Sequence, residues 1–402
     1  MTVQPARTRW GGIAGRFRPS GYFRVERSGG VWWLADPDGG AFLSKGVNTV
    51  RFDQDKIRNS ERIPYAEACA KKYGNEASWR TEAADRLARW GFNTLGAWSD
   101  EAVAHAGAQP LAVAANLELG ASFTWDKSRP GGGGHAQAFP DVFDPAFAPH
   151  VAGRARELCA ARVDEPNLLG WFIDNELRWG ADWRGPDDLL TLFLKLPKSA
   201  PGYAAASDFL HGRDDEHADI SAVFSGLVAE RYFAATSAAI RAVDRNHLVL
   251  GCRFAYVPPA PVVTAAARHV DVVSFNCYEL DPRAAIDAYA AGGKPCLIGE
   301  FSFRAEDSGL PNRIGAGPKV ADQPGRAACF QRYVTAALRN AAVVGYHWFE
   351  HADQPAEGRF DGEDSNFGTV TIEDRVYEEL TQAMTAANAE AETLHLKAAA
   401  EA

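Results

Sequence analysis

Two runs of the chain end abruptly in acids. Residues 168–173 (LLGWFI) are apolar over the length of a strand and then give way to Asp174, Asn175 and Glu176, which a purely structural strand has no reason to carry at a buried end. Residues 294–302 (KPCLIGEFS) have the same form and deliver Glu300. Two strand-terminal glutamates suit glycoside cleavage. Retention of configuration needs two carboxyl groups about 5 Å apart, one protonated to help the leaving oxygen depart and one ionised to attack the anomeric carbon. Asn175, directly before Glu176, offers an amide to the substituent beside that carbon. Asn276 and Tyr278 close the run 272–278, and the Tyr278 hydroxyl is suited to holding Glu300 ionised and oriented.

Further candidates surround this pair. A pyranose packs its C–H face on a flat ring while its hydroxyls take directional hydrogen bonds. Trp348, in the run 346–349, is therefore expected as the floor of the subsite holding the cleaved sugar, with Trp98 at the rim. Trp125, Trp179 and Trp183 also fall on or beside rim loops, whereas Trp32 and Trp33 read as structural. Gln354, Glu363 and Asn366 are placed to read hydroxyls, and Asn48, Asn93 and Arg253, at the ends of strands one, two and five, are expected to line the site. No cofactor and no metal is expected. His347 and His351 are four apart, but on a strand that spacing does not converge two imidazoles as a helix would. Cys277 reads as an inert core thiol.

The elements that must position these residues alternate regularly. Strand-like runs are expected at residues 46–50, 92–97, 111–119, 168–175, 247–253, 270–278, 295–301 and 341–349. Helical spacing lies between them at 77–89, 101–106, 145–162, 220–243, 261–268, 282–291 and 326–340, with a closing helix at 377–387. Eight strands with helical crossovers most simply close into an α/β (β/α)8 TIM barrel, since continuous apolar runs suit strands covered on both faces. A doubly wound sheet is the alternative, but the first strand-to-helix turn has no glycine fingerprint. On this count Glu176 and Glu300 end strands four and seven, which face one another across the barrel mouth. The long insertions 120–144, 177–219, 302–325 and 350–374 all follow strands, at the carboxyl rim where barrel enzymes keep their sites. Within them, Gly131 to Gly134 reads as a flexible spacer. Residues 1–40 are expected to form an N-terminal β-hairpin extension closing the barrel floor, 41–387 the catalytic barrel, and 388–402 a fraying helical tail.

Composition narrows the partners. At 402 residues the chain suits one large barrel, and its formal net charge of −10 argues against nucleic acid or an anionic membrane. A neutral carbohydrate substrate fits better. The six cysteines are scattered without zinc-site or redox spacing and read as buried reduced thiols. Residues 1–20 lack the apolar core of a signal peptide, so the chain as given reads as cytoplasmic, or exported if a leader has been removed.

Asn-Glu after strand four, a tyrosine after strand six and a glutamate after strand seven look like clan A of the glycoside hydrolases. Taken in order, VWWLADPDGGAFLSKGVNTV, GFNTLGAWSD, FPDVFDPAF, LLGWFIDNE, LIGEFSFRAEDSG and GYHWFEHADQPAEGRFDGEDSNFGTV resemble the β-agarases of glycoside hydrolase family 50 and their relatives, over most of residues 31–370. The resemblance implies a (β/α)8 barrel and a retaining double displacement, with Glu176 as general acid/base and Glu300 as nucleophile. The chain departs from that pattern in two ways. It is expected to be without the additional carbohydrate-binding-like domain such agarases can carry, and the arginine many clan members place after strand two is replaced by Gly96-Ala97-Trp98-Ser99, leaving Arg51 or Arg253 as substitutes. The expectation is a retaining agarase-like hydrolase of β-linked galactose-containing glycans, favouring exo action on short oligosaccharides. Its rivals are a β-glucosidase or β-mannosidase on the same scaffold and a catalytically silent glycan-binding barrel.

Overall fold

The computed structural model describes residues 5–125, 139–211 and 219–398; the expected spacer at Gly131 to Gly134 lies outside them. Eight parallel strands form one sheet, in chain order Ser44–Val47, Thr94–Leu95, Ala112–Asn116, Leu168–Phe172, Leu248–Val249, Val273–Asn276, Cys296–Phe301 and Val343–Trp348. The first and eighth pair in parallel, so the sheet curls, and its two edges, strands five and six, meet through a parallel bridge between Phe254 and Phe275. The Asn276 amide donates to the Phe254 carbonyl there at 2.7 Å. This arrangement fits the expected TIM barrel. All eight strand positions read from the sequence are occupied, but the strands are shorter than the apolar runs that announced them, most of all the second and fifth.

Side chains alternate across these strands, and the two faces fill two cores. Inward residues such as Ala112, Ala114, Leu169, Phe172, Leu248, Leu297 and Val344 pack in the interior, in one cluster with Trp10, Phe23, Leu34 and Phe42 from the N-terminal segment. Outward residues pack against the surrounding helices. Arg24–Ser28 and Val31–Ala35 form an antiparallel hairpin whose turn, Gly29-Gly30, has φ of +60° and +86°, the left-handed pair a tight hairpin favours. Asn75, Asp219 and Asp322 cap the helices Glu76–Arg89, Ile220–Val243 and Gln323–Leu338 by accepting from backbone amides one turn in.

Two expectations require correction. The closing helix does not stop at 387: it runs Glu378–Lys397, with Asn388, Glu392 and His395 buried, so most of the expected fraying tail is docked. The third strand ends at Asn116 and not at 119, because Leu119–Thr124 turns into a short helix. The rim insertions also hold helices at Leu189–Leu194 and Pro201–His211, and Pro64–Tyr73 follows the first strand. No helix among the described residues is long and apolar enough to cross a membrane.

Candidate active site

Glu176 and Glu300 stand at the carboxyl ends of strands four and seven and are joined by an unbroken polar chain. Asn276 Nδ2 donates to Glu176 Oε1 at 2.9 Å and to Asn175 Oδ1 at 3.2 Å. Arg253 Nε donates to the same Asn175 oxygen at 2.9 Å, while its Nη2 bonds Glu300 Oε1. The Tyr278 hydroxyl donates to Glu300 Oε2 at 2.5 Å. One glutamate is thus bracketed by a guanidinium and a phenol, and the other receives a single neutral amide.

The surroundings act on the Glu176 proton. Burial, reinforced by the negative charge of Glu300, pushes the Glu176 carboxyl up to about 7. Tyr278 is pushed well above its ordinary range, first by burial and then by Glu300, so it remains a donor. Two backbones at the site are sharply turned, one of them at the acid Glu176. Glu176 and Arg253 take φ of +50° and +49°, left-handed values that side chains adopt at a cost and that recur at functional sites. The turn at Glu176 is held on both sides, its amide donating to the Arg253 carbonyl at 3.2 Å and its carbonyl accepting from Arg184 Nη1 at 2.8 Å.

Of Arg51 and Arg253, Arg253 is the one that lies at the site. It rises from the end of strand five, fully buried, with its guanidinium carbon 4.9 Å from the centre of the Trp98 ring and 4.8 Å from that of Phe172. It therefore reaches Glu300 from strand five, over the Trp98 ring. Arg51 instead forms an exposed pair with Asp53 at 2.7 Å.

Other expected residues are distributed unevenly. Asn48 is buried beneath the site, its Nδ2 donating to the Gly299 carbonyl at 2.9 Å, so it steadies the residue before Glu300. Gln354 is fully buried and donates to Glu363 at 2.8 Å and Glu350 at 3.0 Å. Glu363 lies within the electrostatic reach of Glu300, whose charge adds to burial in raising its carboxyl. Three expectations are corrected. Trp348 is fully buried, edge-on to Phe301 and Phe330, with its indole N–H donating to the Phe367 carbonyl at 2.9 Å. It faces the helix layer and offers no ring to a sugar. Asn93 precedes strand two, not its carboxyl end, and ties the Lys45 amide (2.9 Å) and the Leu43 carbonyl (2.9 Å) at the opposite rim. Asn366 is spent within the eighth loop, donating to Asp353 at 2.8 Å and accepting from Gln323 at 3.0 Å.

Sequence reasoning passed over several neighbours. Phe349 lies edge-on to Tyr278 with ring centres 6.4 Å apart. Arg359 bonds Glu363 at 2.7 Å and stands within 4 Å of Asp55 and Glu350 (3.8 and 3.9 Å). Glu350 is fully buried, and burial with the nearby Asp55 charge pushes its carboxyl well up. Glu350 follows strand eight directly, so the rule that singled out Glu176 and Glu300 would have found it. Asp174, by contrast, is not free for chemistry: it accepts from the Gly120 and Ala121 amides at 2.7 and 2.8 Å and from the Tyr232 hydroxyl. His347 and His351 lie in separate networks, the first against Ser44 at 2.8 Å and the second against Arg86 at 3.0 Å. All six cysteines are buried and free.

Fold and site together define an α/β sheet of TIM-barrel type whose mouth holds two carboxylic acids joined by a polar chain. No family model matches the chain. It is 30% identical to β-agarase A of Vibrio sp. (strain JT0107), over 91% of this chain and 45% of that protein. It is 28% identical to β-agarase B of the same strain, over 94% of this chain and 49% of that protein. The chain thus spans about half the length of these relatives. Among solved structures it is similar to the agarase AgWH50C, with a TM-score of 0.81 and 29% identity, covering 97% of this chain and 66% of that one.

Proposed function

We propose that the protein is a retaining glycoside hydrolase of clan A and agarase-like type, acting on β-linked galactose-containing poly- or oligosaccharides. The observation that carries this reading is the different polar surroundings of the two acids: Glu176 raised to about 7 by burial and the charge of Glu300, and Glu300 bonded by Arg253 and Tyr278. Similarity to β-agarases over more than nine-tenths of the chain supports the substrate class.

In the first step Glu176 donates its proton to the glycosidic oxygen while a Glu300 oxygen attacks the anomeric carbon. The C–O bond to the leaving sugar breaks and a glycosyl ester forms. As Glu300 loses its negative charge, the pressure keeping Glu176 protonated falls, so the same residue becomes a base for the incoming water. Water then displaces the ester and Glu300 is released as carboxylate. Asn175 and Asn276 would hold the hydroxyl beside the anomeric carbon, Trp98 would flank the sugar, and Glu363, positioned by the buried Gln354, would read hydroxyls from the eighth loop. The N-terminal hairpin would act as the barrel's floor.

Glu176→Ala and Glu300→Ala are each expected to lower kcat on agarose oligosaccharides by about 10³-fold. Azide should restore Glu300→Ala with inversion of the product. Near-normal turnover in either variant would refute the assignment.

A further inference from the structure

Two large aromatic side chains stand in solvent beside Glu176. Trp183, from the loop after strand four, is 59% exposed, and Tyr256, from the loop after strand five, is 54% exposed. Their ring centres are 5.7 Å apart with planes tilted by 46°, so they form one shallow ledge. The ledge is anchored to the acid. Arg184 packs its guanidinium 4.1 Å from the centre of the Trp183 ring, donates to the Glu176 carbonyl at 2.8 Å and bonds Asp182 at 2.5 Å. Tyr256 is held through its carbonyl, which accepts from the buried Tyr289 hydroxyl at 2.8 Å. Its phenol is raised first by burial and next by the charge of Glu176.

Exposed rings of this size carry an apolar surface that a folded chain has no internal reason to leave uncovered. The chemistry says what covers them. The acid/base delivers its proton to the oxygen of the departing sugar, so that sugar lies on the Glu176 side of the cleaved bond, whereas the nucleophile Glu300 addresses the sugar that is retained. A pyranose there can lay its C–H face on the two rings. We propose that Trp183 and Tyr256 form a binding platform for the leaving-group portion of the glycan, conferring preference for substrates extended beyond the cleaved bond. This rests on the hydrolase reading above.

The test compares the parent chain, the W183A/Y256A double variant and the W183F/Y256F double variant on an agarose-derived hexasaccharide. The alanine pair is expected to raise KM about tenfold while kcat changes less than about threefold, the loss expected of truncated stacking contacts. The phenylalanine pair, which keeps the rings, should regain most of the affinity. An alanine pair whose KM stays near the parent's overturns the platform. So does a collapse of kcat at unchanged KM, or a phenylalanine pair as weak as the alanine pair, either of which would mean a structural role. A parent chain inert toward the hexasaccharide overturns the hydrolase reading itself, and is told apart by being seen before any substitution is made.

Discussion

At Glu176, burial and the negative charge of Glu300 act in the same direction, and the carboxyl titrates near 7. Only the protonated form can donate to the leaving oxygen, so kcat/KM is expected to fall above about pH 7, tenfold per pH unit, with that limb set by Glu176. Glu300→Gln removes one of the two raising causes. In that variant the Glu176 carboxyl, followed by carbon NMR of labelled glutamate, should titrate lower than in the parent, and an unchanged midpoint would contradict the coupling. Linkage gives the sign for stability: the folded carboxyl lies above its ordinary value of 4.5. Its contribution is therefore full below that value and is lost as pH rises through about 7. The acids, Asn175, Asn276 and Tyr278 were legible because a polar residue at the buried end of an apolar strand has few structural excuses. Trp348 was misread because its neighbour His347 takes the inward position. Alternation along the strand then turns the indole outward, and composition alone does not reveal that phase.

The short helix Leu119–Thr124 shows an element built by a single acid. Asp174 reaches across from the end of strand four and accepts from the amides of Gly120 and Ala121, donors that the start of a helix leaves otherwise unpaired. Gly120 permits the approach: a Cβ there would lie 2.7 Å from the Tyr232 ring and 2.8 Å from the Asp174 carboxyl. Gly120→Ala is expected to cost about 1–3 kcal/mol through overpacking, read as a lower denaturation midpoint. A midpoint equal to the parent's would show that the contact yields. Periodicity and turn residues revealed the eight strands and the long helices, as at Ile220–Val243, whose bounds match the sequence reading. Leu119–Thr124, Leu189–Leu194 and Pro201–His211 stayed hidden. Helices of one to three turns carry too little periodicity to stand out, and they form here because tertiary partners such as Asp174 hold them.

Across the whole molecule, the last helix is fastened to the first barrel strand. Lys45 Nζ bonds Glu392 at 2.9 Å and the Asn388 carbonyl at 3.2 Å, and Arg7 adds a second contact to Glu392 at 3.2 Å. Burial alone would raise the Glu392 carboxyl, but Lys45 and Arg7 outweigh it and hold it low. Glu392→Ala strands a buried ammonium and is expected to destabilise the fold by about 3–5 kcal/mol, whereas replacing the pair with Met and Leu should recover most of the loss. A double variant no more stable than Glu392→Ala would count against the pair as the cause. The sequence offered only an Ala- and Glu-rich stretch at this point, and nothing local marks Glu392 as buried, because its partner lies 347 residues away. That separation also bears on how the chain is made. Strand one emerges from the ribosome early, yet its lysine has no counter-charge until the final helix follows. That contact, and the pairing of strand one with strand eight, are therefore expected to form only after both partners have been made, and until then the open edge of strand one is exposed to aggregation.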